Sequence, residues 1–341
     1  VTGVQTCALP IFAQNTNMSR EAVIAKALEN NKGIKAAALQ VNKMQENIKS
    51  SFTFEKTNVY YSYDQNNLAL NNLPLKVFGV QQRFLFPTVY GVQKKANTSE
   101  FEKEKADYEL QKNKLSLQVA KTYEQIVYWQ HQERLYSYLD SLYQNFSKAS
   151  DRRFELGETN YLEKITAQSK YRQIKTKLTQ INFEKKAQYE SLQALVQSDE
   201  KISILEKELV PMPTLDTTSN KAIHTAYLES ISKMYKSQIS LQKQHWLPDL
   251  NLEYFQGRNN GLSQSLYGFQ VGIAVPILFS GNVSKTKVAQ LESQSWEEQK
   301  QNQEQKMTQF IRQQQNEIAK YQESINYYNA TGKKLSEEII K

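Results

Sequence analysis

The sequence predicts a mainly α-helical protein with β-strands, built from an internally duplicated unit of helix, strand, strand and long helical hairpin. Only 11 of its 341 residues are glycine and 7 are proline, so few positions break a helix. Hydrophobic residues make up 39% and the mean hydropathy is −0.67. Such a polar chain favours long helices with narrow apolar seams over a compact globular core.

The composition excludes several classes of protein. No run of about 18 apolar residues occurs, so the sequence predicts no membrane-spanning helix. The 20 tyrosines are too many for a disordered chain, and a single cysteine excludes an intramolecular disulfide. The net charge is +8, but lysines alternate with glutamates, as in residues 102–105. We therefore expect a solvated surface and no nucleic-acid partner.

The first residues differ in character from the rest. Residues 1–11 match the one-frame translation of a common short-read sequencing adapter, and we expect them, with Cys7, to be an artefact. Residues 12–18 begin with Phe12-Ala13-Gln14, which resembles the end of a bacterial signal peptide. The alternative is a short disordered leader.

Residues 19–205 form the first expected repeat. Apolar residues at helical spacing predict a helix over 19–51, capped by Ser19. Alternating patterns predict strands over 57–65 and 75–86. A helical hairpin is expected over 92–200, with its turn at Gly157. One heptad series predicts the coiled-coil seam of its first helix: Phe101, Tyr108, Leu115, Thr122, Trp129, Tyr136 and Tyr143.

A second copy of this pattern follows a proline-containing linker, 206–218. Residues 219–341 repeat the order of elements, with strands expected over 249–257 and 265–276 and a helix over 283–341. The segment Phe78-Gly79-Val80-Gln81 corresponds to Tyr267-Gly268-Phe269-Gln270. The second hairpin turn would fall at 341–349, so we expect a chain truncated at both ends.

Each expected strand has one apolar and one small or polar face. Two interpretations stay open on the strands alone, a membrane β-barrel and a half-buried soluble sheet. Four strands cannot close a barrel, so a barrel would need several chains. Aromatic residues that flank the strands suit interfacial girdles, although ordinary sheet packing uses such residues too. They are Tyr60, Tyr61, Tyr63, Phe86, Tyr90, Phe255 and Phe279. The positions expected to face lipid are Phe78, Val80, Phe84, Phe86, Tyr267, Phe269, Val271, Ile273 and Val275.

The duplicated order of elements resembles the TolC family of outer-membrane efflux ducts. The run Arg153-Phe154-Glu155-Leu156-Gly157-Glu158-Thr159-Asn160-Tyr161-Leu162 is similar to its turn motif between coiled-coil helices, and Pro248-Asp249-Leu250 and Pro276 resemble its second repeat. The resemblance implies a homotrimer with a 12-stranded barrel and a periplasmic helical tunnel. The sequence of residues 61–79 is most similar to that of heavy-metal efflux members of the family. In some of these members the duct is fused to the inner-membrane pump.

The family resemblance also implies partners. These are a periplasmic adaptor, an inner-membrane RND-type pump and outer-membrane lipid. By position, the adaptor-docking tip would comprise Arg153, Leu156, Gly157, Glu158 and Thr159. The alternative is that Gly157 only permits the turn. No gate residue is assigned, because most of the second hairpin lies beyond the chain.

No pattern in the sequence indicates catalysis. His131, His224 and His245 are scattered without metal-ligand spacing, and phosphate-loop and nucleophile motifs are missing. We therefore expect no enzyme activity, no cofactor and no metal site. The leading hypothesis is a passive duct for metal ions or small molecules, and the alternative is a periplasmic coiled-coil adaptor or scaffold.

Overall fold

The computed structural model describes residues 17–65, 72–206, 217–277 and 280–340. The chain divides into two compact units. The first takes the chain up to Met44 and Glu104–Tyr227, and the second takes Gln45–Lys103 and the chain from Leu228 onward. The expected adapter segment, nearly all of the leader and most of the linker lie outside the described residues.

The first helical segment is divided into α1 (Arg20–Asn30) and α2 (Lys32–Lys49), with a 3₁₀ turn at Ser50–Phe52. The prediction of one helix over 19–51 is wrong at Asn31. The Asn31 side-chain oxygen accepts hydrogen bonds from the N–H groups of Gly33 (2.9 Å) and Ile34 (3.2 Å). Asn31 is extended, with ψ 119°, so it ends α1 and caps α2.

The predicted hairpin consists of α3 (Pro87–Glu155) and α4 (Tyr161–Val196). Gln168 Nε2 lies 2.8 Å from Asp151 Oδ1, and Gln130 Nε2 lies 2.9 Å from the Tyr189 hydroxyl. Late positions of α3 thus meet early positions of α4, which confirms the antiparallel arrangement. Helix α3 begins five residues before the predicted start at 92, because proline fits the first turn of a helix.

The core of the first unit lies between α1, the middle of α3 and the end of α4. None of the seven predicted heptad residues is exposed. A second row of α3, more deeply buried than the heptad series, was not predicted. The fully buried residues of this core include Val23, Ala27, Val119, Tyr123, Ile126, Val127, Leu192 and Val196.

A small parallel sheet closes this core and was not predicted. It pairs β1 (Asn17–Met18), which we had placed in the leader, with β4 (Ser203–Ile204). The buried hydroxyl of Tyr123 donates to the Met18 carbonyl at 2.9 Å and accepts from the Leu205 N–H at 3.2 Å. One side chain thus connects both segments to α3.

The helices of the second unit are held by hydrogen bonds between neighbours. Helix α5 (Thr217–Gln244) reaches into this unit, and α6 (Ser280–Tyr327) continues through a π-helical turn (Tyr328–Gly332) into α7 (Lys333–Ile340). Trp296 Nε1 donates to Ser232 Oγ at 3.1 Å, and Trp246 Nε1 donates to Thr286 Oγ1 at 3.3 Å. Both indoles join α6 to α5 or to the segment after it.

The second unit also holds an antiparallel four-stranded sheet. Its strands are β2 (Asn58–Asp64), β3 (Leu75–Phe84), β5 (Asp249–Asn259) and β6 (Leu266–Ala274), in the order β2-β3-β5-β6. The two predicted strand pairs are therefore joined along β3 and β5. Each strand ends within two residues of its prediction. Phe86 and Val275 were placed in strands but lie just beyond the ends of β3 and β6.

Candidate functional site

One face of the four-stranded sheet, which we call the outer face, is apolar and exposed. Its side chains form cross-strand rows, such as Val59, Val80, Tyr254 and Phe269. Phe269 is 80% exposed and Tyr254 is 52% exposed. Among the residues expected to face lipid, Phe78, Tyr267, Phe269, Val271, Ile273 and Val275 are exposed, and Val80, Phe84 and Phe86 are half-buried.

This exposure distinguishes the outer face from the core of a soluble sheet. A soluble antiparallel sheet packs its apolar face on the core and leaves its polar face to water. Here the apolar residues are the ones left uncovered. Contiguous exposed apolar surface of this kind marks contact with lipid or with another protein.

The opposite face, which we call the inner face, is polar. It carries the charged residues Asp64, Arg83, Asp249 and Glu253 among amide and small side chains, with Leu75, Val77 and Leu266 as apolar exceptions at the end where β5 turns into β6. Arg83 Nη2 lies 2.5 Å from Asp249 Oδ2, and Arg83 Nε lies 3.8 Å from Glu55 Oε2. Arg83, Asp249 and Glu55 thus form a charged group near the end of the sheet from which the helices leave.

An aromatic ring from the neighbouring strand lies over each of two glycines of the inner face. A Cβ built on Gly79 would lie 2.3 Å from the Tyr60 ring, and one built on Gly268 would lie 2.5 Å from the Phe255 ring. Each aromatic residue is the direct cross-strand partner of its glycine. The Tyr60 hydroxyl also donates to the Glu253 carboxylate across β3.

Three of the expected girdle aromatics have other roles. Tyr60 and Phe255 lie on the inner face, so their assignment to a girdle is wrong. Tyr90 is also not a girdle residue, because it is buried between Phe52 and Phe54 and its hydroxyl accepts from the Leu85 N–H at 3.1 Å. Phe279 lies outside the described residues.

The hairpin tip groups the residues expected to dock an adaptor. Gly157 has a φ of +76°, a conformation that glycine adopts at little cost. Arg153 Nε lies 3.8 Å from Glu158 Oε2, and Thr159 Oγ1 donates to Glu163. Leu156 is 65% exposed. The turn thus presents an apolar side chain beside a charged pair.

The three histidines lie outside the strands of the sheet and outside the hairpin tip. His131 lies on α3, His224 on α5, and His245 just after α5. Among the described residues, no cluster of three His, Cys, Asp or Glu side chains is placed to hold a metal ion. In the same part of the chain, every helix is too short or too polar to cross a membrane.

Solved structures with the same fold include three channels. The Campylobacter jejuni CmeC outer membrane channel matches with a TM-score of 0.74 and 16% identity, over 94% of this chain and 74% of that one. CusC, described by its transmembrane channel formation, matches with a TM-score of 0.66 and 16% identity, over 96% and 88%. The open Neisseria gonorrhoeae MtrE outer membrane channel matches with a TM-score of 0.62 and 16% identity, over 98% and 82%.

The chain has an outer-membrane channel fold. This agrees with the resemblance to the TolC family and confirms the prediction of a mainly helical fold with a sheet. No protein-family profile matches the sequence, and no curated protein matches it at the level of sequence.

Sequence reasoning missed some residues that shape the sheet of this channel fold. It did not single out Glu253, or place the Tyr60 ring over Gly79. The available signal was the glycine at the same place in both strand pairs, Gly79 and Gly268. A glycine inside a strand often marks the close approach of another group.

Proposed function

We propose that this chain is the outer-membrane channel component of a tripartite efflux system. It acts as a passive export duct for metal ions or small molecules, driven by an inner-membrane pump, and performs no catalysis. Its location is the outer membrane, with a helical tunnel in the periplasm. The resemblance to heavy-metal efflux members supports metal ions as the first substrates to test.

The observation that carries this proposal is the exposed apolar outer face on a sheet with a polar inner face. A strand in a membrane barrel must place apolar side chains toward lipid and can place polar ones toward a lumen. The strands run 7 to 11 residues, close to the length of about 9–11 that crosses a bilayer when tilted.

The edges of the sheet support an assembly of several chains. Strands β2 and β6 are the first and last of the four, so each has one side without a partner in this sheet. Open edges are not tolerated in the hydrocarbon region. A homotrimer would join these edges into a 12-stranded barrel, as the family resemblance implies.

The duplication is supported by the two glycine–aromatic pairs. Tyr60 over Gly79 in the first strand pair corresponds to Phe255 over Gly268 in the second. Two hairpins with the same packing at the same place are the expected product of a repeated unit. The proposed repeats are 19–205 and 219–341.

The hairpin tip is proposed as the docking site for a periplasmic adaptor. Arg153, Leu156, Gly157, Glu158 and Thr159 lie in one exposed turn. The exposed Leu156 offers apolar contact and the Arg153–Glu158 pair offers charge recognition. The adaptor would connect the duct to an RND-type pump.

A pair of substitutions on adjacent residues of β6 tests the proposal. Phe269→Arg places a charge on the outer face, and Gln270→Arg places the same charge on the inner face. In a membrane barrel, Phe269→Arg should lower stability by about 2–4 kcal/mol at mid-depth, and Gln270→Arg should be tolerated. The measurements are recovery in the outer-membrane fraction and conductance in planar bilayers.

The opposite result identifies the alternative. If Phe269→Arg gives a more soluble and equally stable protein, the outer face meets water or protein. Retention of the unmodified chain in the aqueous fraction without conductance would then favour a periplasmic adaptor or scaffold.

A further inference from the structure

The outer face carries two charges, and they lie directly opposite each other. Lys76 of β3 is the cross-strand partner of Arg258 of β5. Register places Tyr63 of β2 beside Lys76 in the same row. Arg258 is exposed and Lys76 is half-buried. The other outer-face residues of the four described strands are uncharged.

Two like charges placed opposite each other in an antiparallel pair repel and lower stability. Neither Lys76 nor Arg258 forms an ion pair with any described residue. Asp64, the carboxylate nearest in register, pairs with Leu75 and so belongs to the inner face. The repulsion between the two cations is therefore left uncompensated within this sheet, which indicates an anionic ligand from outside it.

The position of the pair in the sheet identifies the environment of that ligand. Lys76 and Arg258 occupy the end of the sheet where β5 turns into β6, and the helices leave from the other end. The next row is Tyr61, Phe78, Gln256 and Tyr267, and apolar rows follow it. The two cations thus lie at the border of the apolar surface, in the same cross-strand row as Tyr63.

We propose that Lys76 and Arg258 form a binding site for the phosphate group of a membrane lipid headgroup in the outer leaflet. This inference rests on the proposed function, since it requires the outer face to meet lipid. The Arg258 guanidinium can hold two phosphate oxygens in a bidentate pair, and the Lys76 ammonium supplies a second charge. The lipid chains would lie along Phe78 and the apolar rows below it.

The phosphate balances the repulsion that the sheet itself leaves uncompensated. A lipid with one net negative charge or more is therefore preferred over a zwitterionic lipid with the same chains. This preference should weaken as salt is raised, because exposed charges are screened. Lipid bound here would fix the depth of the sheet in the membrane.

Spin-labelled lipids test this inference on the full chain in lipid vesicles. The probes are phosphatidic acid and phosphatidylcholine with identical chains, and the readout is the fraction of each that is immobilised at the protein surface. The expected preference for phosphatidic acid is about fivefold. The double variant Lys76→Gln/Arg258→Gln should show a preference near one.

A matched double variant controls for the loss of net charge. Lys287→Gln/Lys306→Gln removes the same charge from exposed positions of α6 and should keep the full preference. Inorganic phosphate that replaces chloride at constant ionic strength should also leave the preference intact. If phosphate abolishes it, the cations bind a soluble anion and the assignment to lipid is wrong.

The experiment separates this inference from the proposed function. Immobilised phosphatidylcholine without any preference, or a preference that survives Lys76→Gln/Arg258→Gln, overturns the lipid site and leaves the membrane barrel standing. If neither lipid is immobilised, the outer face does not meet lipid and both proposals fail.

Discussion

At the scale of single residues, the packing of the inner face depends on two glycines, which have no side chain. Gly79 and Gly268 have no Cβ, so the far ends of the Tyr60 and Phe255 rings can occupy the space beside them. Tyr60 can then reach across β3 to Glu253. In the proposed barrel, this packing would hold the two rings against the wall and away from the centre of the lumen.

Substituting Gly79 tests this packing. In Gly79→Ala the new Cβ would overlap the Tyr60 ring, so the ring must move and its hydrogen bond to Glu253 is lost. We expect a loss of about 1–3 kcal/mol in unfolding free energy and a lower single-channel conductance. Gly272→Ala is the control, because its Cβ would lie 3.8 Å from Asn251, an ordinary contact. Equal stability of the two variants would contradict the packing argument.

The contribution of Tyr123 to the free energy of unfolding can also be tested with a single substitution. Its buried hydroxyl has the Met18 carbonyl and the Leu205 N–H as partners. Tyr123→Phe removes both of these hydrogen bonds, while the Leu205 N–H still donates to the Met18 carbonyl at 3.0 Å. It should lower the free energy of unfolding by about 0.5–1.5 kcal/mol. Tyr128→Phe removes an exposed hydroxyl of the same helix and should change it by less than about 0.5 kcal/mol. Chemical denaturation in detergent measures both, and a small effect at Tyr123 would show that the hydroxyl is dispensable.

At the scale of elements, the backbone conformation decides what a glycine contributes. Gly91 lies in α3 and Gly157 in the hairpin turn, and a Cβ on either would meet no atom within 4 Å. They differ in φ, which is +76° at Gly157 only. A helical glycine costs conformational entropy, whereas a glycine with positive φ avoids strain.

Alanine at these two positions should therefore have opposite effects. Gly91→Ala should stabilise the protein by about 0.5–1 kcal/mol. Gly157→Ala should destabilise it by about 1–2 kcal/mol, because an L-residue is strained in the left-handed region. Thermal unfolding of both variants checks the signs. Two shifts in the same direction would mean that the turn differs from the structure described.

At the scale of the whole molecule, the proposed assembly depends on the open edges of the sheet. β2 and β6 end a four-stranded sheet that is too small to close on itself. In lipid, such edges must pair with other chains.

The mass of the detergent-solubilised particle tests this assembly. Light scattering with the detergent contribution subtracted should give three copies of the chain. The same sample in a denaturing detergent should give one copy and serves as the control. A particle that is a single copy before denaturation would refute the barrel, since its four strands could not close.

The alternating strand residues were readable in the sequence because a strand places successive side chains on opposite faces. That period placed β2, β3, β5 and β6 to within two residues. The long helices were equally readable from heptad spacing and from the scarcity of glycine and proline. The break at Asn31 was missed because an asparagine can cap a helix or sit within one, and its contact with Leu195 is remote in sequence.

The sequence by itself determined the strand faces, the hairpin and the resemblance to a channel family, because these follow from local periodicity and the order of elements. Only the tertiary structure joined the two hairpins along β3 and β5, stacked Tyr60 on Gly79 and set Lys76 opposite Arg258. The partners on β3 and β5 lie 166 to 184 positions apart in the sequence, from Phe84–Leu250 to Leu75–Asn259. Their pairing depends on cross-strand register, which no local pattern specifies.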